Sequence, residues 1–523
     1  MYDQLKAFSA TRCEWMYSID ASLVAALKKA VHHVGLALSP ANPRISHDSG
    51  AAFDLNGNLA HAPWMPAPFP PWISIFRPDS RTAMMKMASA DVAIGVDSMQ
   101  FDDPELEYGV LGWAGGDFSP EALSAFGGYC KTSPAPTGCS ELAADNYDIG
   151  AWIRRRVGTT THIDWGAFRA RYGTEPAWQA WSSFLKSSSR EFLSSIRQYL
   201  HSQERPLPLS VNTNNPLPTT DQTFILDATD YLECEIYSLT TPYPLYCFHA
   251  CAAAWQLPFV PCIVPVSTVD TQWGIALGYA LGDTPRVPYD IYIGAGLDRY
   301  FGTVADYGYL FSFVRANAQY FDDYEEIADI VFVMDENALT YAPIYLAAKR
   351  SLDLGITFRF TVRRPNGTVT ANRSASLPPQ VAVAINGSLS TAGVLYPSIP
   401  ALSSQEFGAN PIHPALTRVF RIVTPNPQKV VAIPRVNANT QSLIVHVVDA
   451  TNSGNGFTDE HMEVIVPQPY WPYVKDIQSA TLIRPNGDPL QITLTISQDE
   501  QCVRIRVPLA GILGWGIVIF GRH

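Results

Sequence analysis

Charge is scarce in this chain: only 16% of its 523 residues are Asp, Glu, Lys or Arg, and the formal net charge is −12. No basic stripe exists to displace counterions from a phosphate backbone, so nucleic acid is not an expected partner. The one basic run, Arg154-Arg155-Arg156, reads as a helix face. No uncharged apolar run reaches about 18 residues, which leaves no membrane span. Residues 1–20 lack the basic start, apolar middle and small-residue end of a signal peptide. The chain therefore reads as cytoplasmic, or as an exported form whose leader has been removed.

Cysteine is sparse as well. None of the 8 cysteines stands in a C-x-x-C or zinc-finger spacing, which argues against a structural zinc site. Cys13, Cys234 and Cys262 fall in strand-like runs and read as small buried apolar residues. Cys130 and Cys139 flank a Pro/Gly/Ser loop, where a local disulfide and two free thiols stand as equal alternatives. His47, His61 and His162 are too scattered to read as a metal centre. There is no G-x-S-x-G elbow, no P-loop, and no G-x-G-x-x-G after the apolar run near residue 330. An α/β-hydrolase triad, a nucleotide cradle and a dinucleotide site are thus unsupported, and no cofactor is expected.

What the chain has in quantity is apolar and aromatic residues, with 47% hydrophobic residues, 12 Trp, 24 Tyr and 24 Phe. That is ample for a large core, and the length suggests about two to four domains. A strand–helix beat runs from residue 12. Arg12–Ser18 reads as a strand, Asp20 caps a helix over Ala21–Val34, and Gly35–Ser39 is a second strand. A Pro/Asn/Gly-rich loop then fills 40–70. Trp72–Phe76 (WISIF) is expected as the third strand, Ser80–Ala90 as a helix, and the apolar Val92–Val96 as the start of a fourth strand. A long loop excursion follows from about 104 to 175, then a helix over Glu175–Ser202. Strands five to eight are expected at Leu207–Val211, Tyr231–Tyr237, Phe259–Pro265 and Asp290–Gly294, with helices near 246–256 and 271–281. Eight strands with intervening helices in about 295 residues have the count and size of a TIM barrel.

Beyond residue 300 the pattern changes. A strand at Ile327–Met334, a helix at 340–353 and strands at 355–362 and 380–385 suit a small α/β domain. From about 415 the helical period gives way to short strands at 418–423, 429–434, 442–449, 462–466, 479–484, 490–496, 501–507 and 515–520, as in an antiparallel sandwich. The expected fold class is α/β: a (β/α)8 TIM barrel over 1–300, a small α/β domain over 301–410 and a C-terminal antiparallel β-sandwich over 411–523. Domains of the last kind often contribute to oligomer contacts, so a homo-oligomer is compatible with this plan.

The chain reads as organised around VAIGVDSMQFDDPELEY, Val92 to Tyr108, where four carboxylates crowd the end of one strand and Pro104 ends ladder pairing. In a barrel, working residues come from strand C-termini and the loops after them. Collected there are Glu14, Trp15 and Tyr17 from strand one and Arg77 from strand three. Strand four adds Asp102, Asp103 and Glu105, strand five Asn212 and Asn214, strand six Glu233, Glu235 and Tyr237, and Trp273 follows strand seven. Two carboxyl groups between aromatic walls are what glycosidic cleavage needs: one to protonate the leaving oxygen, one to attack or to activate water. Asp102 and Glu235 are the expected catalytic pair, with Asp102 as nucleophile or base and Glu235 as acid. Glu233 would orient Glu235, and Trp15, Tyr17, Arg77, Asp103, Glu105, Asn212, Asn214, Tyr237 and Trp273 would contact a carbohydrate substrate. The bland alternative for Glu235 is a buried glutamate paired with an arginine such as Arg77. Two other functions stay open: a carbohydrate-binding barrel without catalysis, and a lyase or isomerase with a metal at the Asp102/Asp103/Glu105 cluster, whose oxygens would suit calcium or magnesium.

The strand ending GVDSMQFDDP and the following GGDFSPEALSAFGGY segment resemble glycoside-hydrolase barrels of the β-galactosidase-like group. FRARYG, then AWQAWSSFLKSSSREFLSSIRQYL and PLSVN, are similar to the middle of family-42-type β-galactosidases. The resemblance covers most of residues 12–400 in order and pattern, and implies the three-part plan and glycosidase activity. One departure matters. In that family the acid/base follows an Asn-Glu pair at strand four and the nucleophile is a Glu at strand seven. Here strand four ends Asp102-Asp103-Pro104 and strand seven ends Val264-Pro265-Val266. An Asp at strand four with a second acid at strand six looks more like α-galactosidase-type barrels, in which the strand-four Asp is the nucleophile.

Overall fold

The computed structural model describes the chain apart from residues 1, 18–19, 42–49, 159–162, 214–222, 238, 240, 265–266, 288–302, 337–340, 365, 372–376, 387–388, 410–411, 451–456, 458–459 and 523. The expected strand Asp290–Gly294, together with Asn214, His47 and His162, lies outside the described residues. Two compact units emerge: one is Thr11–Thr213 with Phe224–Asp230, and the other is Met1–Ala10, Asn214–Thr223 and Tyr231–His523. No helix of the described residues is long and apolar enough to cross a membrane.

The unit starting at Thr11 carries parallel strands β1 (Arg12–Met16), β2 (His33–Leu38), β3 (Ser98–Phe101) and β4 (Leu209–Val211), ordered β1-β2-β3-β4. Asp20 caps the first helix as expected, accepting from the Ser22 and Leu23 amides, but that helix stops at Leu27 because β2 begins at His33. Strand β1 is not regular. Cys13 pairs with Val34 and Met16 with Leu36, so one extra residue bulges out, and Trp15 sits at φ +62°.

Two expected strands are corrected. Trp72–Phe76 is not a strand, because its amides are taken elsewhere. Trp72 N–H donates to the Ala60 carbonyl, Ile73 to Pro40 and Ser74 to Gly50. Ile75 N–H donates to the Glu107 carboxylate. Val92–Val96 is not a strand either. The helix Pro78–Ala93 absorbs its start, and Gly95 at φ +85° turns the chain so that β3 opens only at Ser98. A short apolar run serves a helix end as well as a strand, which is why the pattern misled. The acidic strand is therefore the third described strand and not the fourth.

The expected loop excursion is also corrected, for it is largely helical. Helices span Leu106–Trp113, Pro120–Cys130, Ile149–Val157 and Trp165–Tyr172 before the long helix Pro176–His201. They bury a core of Phe126, Trp152, Phe168, Trp178, Trp181 and Phe184. Trp181 donates its indole N–H to the Gly115 carbonyl at 2.9 Å. A Cβ on Gly116, which sits at φ +116°, would lie 2.6 Å from that ring, so only glycine lets the backbone pass. Cys130 and Cys139 are joined by a disulfide, which decides between the two alternatives for that loop.

The second unit holds the parallel pair β5 (Tyr231–Ile236) and β6 (Phe259–Ile263), each followed by a helix, Tyr243–Ala254 and Thr268–Leu281. After them come β7 (Glu325–Glu326), β8 (Ile330–Asp335), β9 (Phe358–Arg363), β10 (Val369–Ala371), β11 (Val381–Ala384) and β12 (Ala401–Ser403). A sheet ordered β10-β9-β8-β11-β12, parallel except at β10, matches the expected small α/β pattern. The C-terminal strands are antiparallel throughout: β13 (Arg421–Val423), β14 (Val430–Asn437), β15 (Ser442–Asp449), β16 (His461–Pro467), β17 (Ile477–Ile483), β18 (Leu490–Thr493), β19 (Thr495–Gln498), β20 (Cys502–Pro508) and β21 (Trp515–Arg522). They form two sheets, β13-β16-β20-β19 and β18-β17-β21-β15-β14-β7, around one apolar core that includes Val445, Val464, Ile505 and Val518.

Candidate active site

The third strand ends at Phe101, and the register places its end beside that of β4. Gln100 pairs with Ser210 and Phe101 with Val211. One position further on, Asp102 and Asn212 stand side by side, and Asn212 donates its amide to Asp102 Oδ1 at 2.9 Å. The Asp103 backbone N–H donates to the same oxygen at 3.1 Å, with Asp103 in the left-handed region at φ +52°. The other oxygen, Oδ2, accepts from the Tyr17 hydroxyl, which in turn accepts from the Trp15 indole N–H at 3.1 Å. Both carboxylate oxygens are thus engaged by donors from three elements, which fixes the rotamer of Asp102.

Burial first, and the neighbouring Asp102 charge second, hold the Tyr17 hydroxyl well above its usual range, so it stays protonated and donates. Burial, reinforced by Asp102, pushes Glu105 up to about 7, where a carboxyl still holds a proton near neutral pH. That is the property a general acid requires.

Beneath Asp102 the same strand face is polar. The Gln100 amide and the Ser210 hydroxyl are buried and have no hydrogen-bond partner among the described residues. Ser98, at the opposite end of β3, donates to Glu14 at 2.8 Å, and Glu14 also meets Arg12 at 2.6 Å and His33 at 3.0 Å. Glu14 is therefore tied at the start of the strands and not at their C-terminal ends, a correction to its expected place. Among the described residues, no group of three or more His, Cys, Asp or Glu is arranged to hold a metal ion.

Arg77 stands at the start of the helix Pro78–Ala93, 3.8 Å from Glu121, and donates to the Ala51 carbonyl. In the second unit, Glu233 and Glu235 are buried on β5, and Glu233 lies 3.6 Å from Arg286. The arginine beside the β5 carboxylates is thus Arg286, which no motif or spacing singled out. Tyr237 follows β5 and is 46% exposed. Trp273 lies on the helix Thr268–Leu281 and lines a pocket with Trp515.

The fold is shared with solved glycoside hydrolases. α-L-Fucosidase isoenzyme 2 from Paenibacillus thiaminolyticus matches with a TM-score of 0.62 at 11% identity, over 100% of this chain and 96% of that one. β-Galactosidase from Bacillus circulans sp. alkalophilus matches at 0.58 and 10% identity, over 99% and 96%. The polyextremophilic β-galactosidase from the haloarchaeon Halorubrum lacusprofundi matches at 0.54 and 9%, over 100% and 97%. At these identities the likeness is one of fold, that of TIM-barrel glycosidases. No protein-family model and no curated protein matches the sequence.

Proposed function

We propose that the protein is a glycoside hydrolase cleaving a glycosidic bond in an oligo- or polysaccharide. On this reading residues 1–300 form a catalytic (β/α)8 barrel, 301–410 a small α/β domain and 411–523 an accessory sandwich. Asp102 is the nucleophile or base. The observation that supports this role is its carboxylate, held at the end of β3 by Asn212, the Asp103 amide and Tyr17. A group so clamped keeps one orientation toward an incoming anomeric carbon, and preorganisation of this kind lowers the barrier. Glu235 is the proposed proton donor, with Glu233 beside it on the same face of β5.

A second assignment of the donor rests on Glu105, whose carboxyl is pushed up to about 7 by burial and by Asp102. The two assignments separate in kinetics, because loss of the acid spares substrates with good leaving groups. The true donor, replaced by Gln, slows an alkyl glycoside far more than a dinitrophenyl glycoside. The other position shows no such split.

Asp102→Asn is the primary test. Turnover of aryl galactosides and fucosides is expected to fall by at least about 10³-fold, the scale of losing a group that acts only in the transition state. The circular dichroism spectrum is expected to stay unchanged. A variant that retains near-normal turnover would overturn the assignment.

A further inference from the structure

The segment 50–76 runs between β2 and the helix Pro78–Ala93, so it stands on the side of the sheet where β3 ends at Asp102. From Leu59 to Trp72 it holds five prolines and no Asp, Glu, Lys or Arg. Proline fixes φ, which leaves such a stretch few conformations to lose on binding. The Met65 amide donates to the Ala62 carbonyl at 2.9 Å and the Phe69 amide to Pro66 at 3.0 Å, closing two turns. The base of the segment is tied to the strand ends. Leu38, at the end of β2, accepts the Asp102 amide at 2.8 Å, and Pro40 accepts the Ile73 amide at 3.0 Å.

Met65 packs into a core of Ala52, Ala60, Trp72 and Val110. Its neighbour Trp64 stays 56% exposed, although its ring meets Trp72 at 6.1 Å and Trp113 at 6.4 Å, both edge to face. Those two rings meet each other at 5.9 Å, so Trp64 stands on a fixed base. Phe69, on the following turn, is 53% exposed. Two large aromatic side chains left open on one charge-free loop mark a binding surface. Trp113 ends the helix that starts at Leu106, just after Asp102, and eight helical residues rise about 12 Å. The ring cluster is thus set to one side of the carboxylate.

The size of the open surface selects its occupant. Even at about 250 Å² for a full aromatic side chain, the exposed parts of Trp64 and Phe69 come to under about 300 Å². A protein partner needs about 800 Å² on each side. Without charge, the stretch offers no ion pair to a phosphate, an acidic peptide or an anionic membrane. A small, rigid, uncharged aromatic surface suits the C–H face of a sugar ring. We infer that Trp64, with Phe69, is a distal sugar platform that holds one unit of a glycan chain away from the bond being cleaved. The inference rests on the reading of the protein as a glycoside hydrolase, and deepens it: the preferred substrate is an oligosaccharide, since only a chain reaches both places. Holding the far end raises the effective concentration of the scissile bond.

The full chain, carrying Asp102→Asn and labelled with 5-fluorotryptophan, is titrated with methyl galactoside, a galactopentaose and a fucopentaose. The Trp64 resonance, assigned by its loss in Trp64→Phe, is expected to shift saturably with at least one pentaose and to stay fixed with the methyl glycoside. By calorimetry, Trp64→Ala is expected to raise the Kd of that pentaose roughly five-fold, the scale of one stacked ring pair. Trp64→Phe, which keeps a ring, is expected to raise it less than about two-fold. A Trp64 resonance that ignores both pentaoses, or a Kd indifferent to Trp64→Ala, would overturn the inference. So would sedimentation in which Trp64→Ala turns a dimer into a monomer, because the loop would then serve a second copy of the chain. Binding is read without turnover, so a failure at Trp64 and a failure of Asp102 as the catalytic residue are seen separately.

Discussion

Tyr17 illustrates how much one hydroxyl can set. Its O–H donates to Asp102 and accepts from Trp15, so on the proposed reading it positions that carboxylate. Tyr17→Phe is expected to lower kcat about 10- to 100-fold, in line with about 1.5–3 kcal/mol for a bond to a charged group. A kcat equal to that of wild type would mean that Tyr17 only packs. The sequence placed Trp15, Tyr17, Asp102, Asp103 and Asn212 together at strand ends, because adjacent parallel strands carry successive positions to one rim. It could not reveal that Tyr17 and Trp15 act in series, nor that Glu14 is drawn toward Ser98 and His33. Those outcomes depend on a bulge and on side-chain partners distant in the chain, and neither leaves a periodic signal.

At the scale of elements, the two-residue strand β7 shows what a short segment can cost. Burial pushes Glu326 up to about 8, with Arg435 and Arg359 opposing. It accepts from the Tyr246 hydroxyl and lies 3.4 Å from His249 Nε2. A carboxyl with a raised folded pKa binds more protons folded than unfolded, so its stabilisation is full below its ordinary pKa of about 4.3 and fades as pH climbs through about 8. The thermal midpoint is therefore expected to fall between about pH 5 and pH 9, and Glu326→Gln to flatten that slope; calorimetry across the range checks both. An unchanged slope in the variant would remove Glu326 as its source. Elements were legible where periodicity was long or strict. The helix Pro176–His201 and the strands β14, β15, β20 and β21 fall where the pattern put them. The segment 490–496 read as one strand, but it divides into β18 and β19, which join different sheets. Alternation marks an extended chain and cannot say which neighbour will pair with each half.

For the molecule as a whole, the C-terminal strands are integral to the second unit. Asp329, buried just before β8, accepts the Phe420 amide at 2.6 Å and the Tyr470 hydroxyl, and Arg435 on β14 pairs across to Glu326 on β7. A chain ending at residue 410 would strip Asp329 of both partners, and leaving a buried carboxylate without its partners costs about 3–5 kcal/mol. Such a truncation is expected to give no cooperative thermal transition, read by circular dichroism. A sharp transition near that of the full chain would show the sandwich to be dispensable. The layering of parallel strands followed by an antiparallel set was readable from the change of hydrophobic period near residue 415. The chemistry that welds the layers was not, since Asp329 in sequence is simply one more acid.

The bulge in β1 sets a limit on how this protein could be simplified. Removing Trp15 would leave Cys13, Glu14 and Met16 facing Val34, Gly35 and Leu36 in regular pairing and relieve a left-handed backbone. It would also take away the indole N–H that fixes the Tyr17 hydroxyl beside Asp102. If the proposed role of Asp102 holds, a one-codon deletion here would trade activity for a tidier sheet, and any variant that keeps the Trp15–Tyr17–Asp102 chain must carry the irregularity.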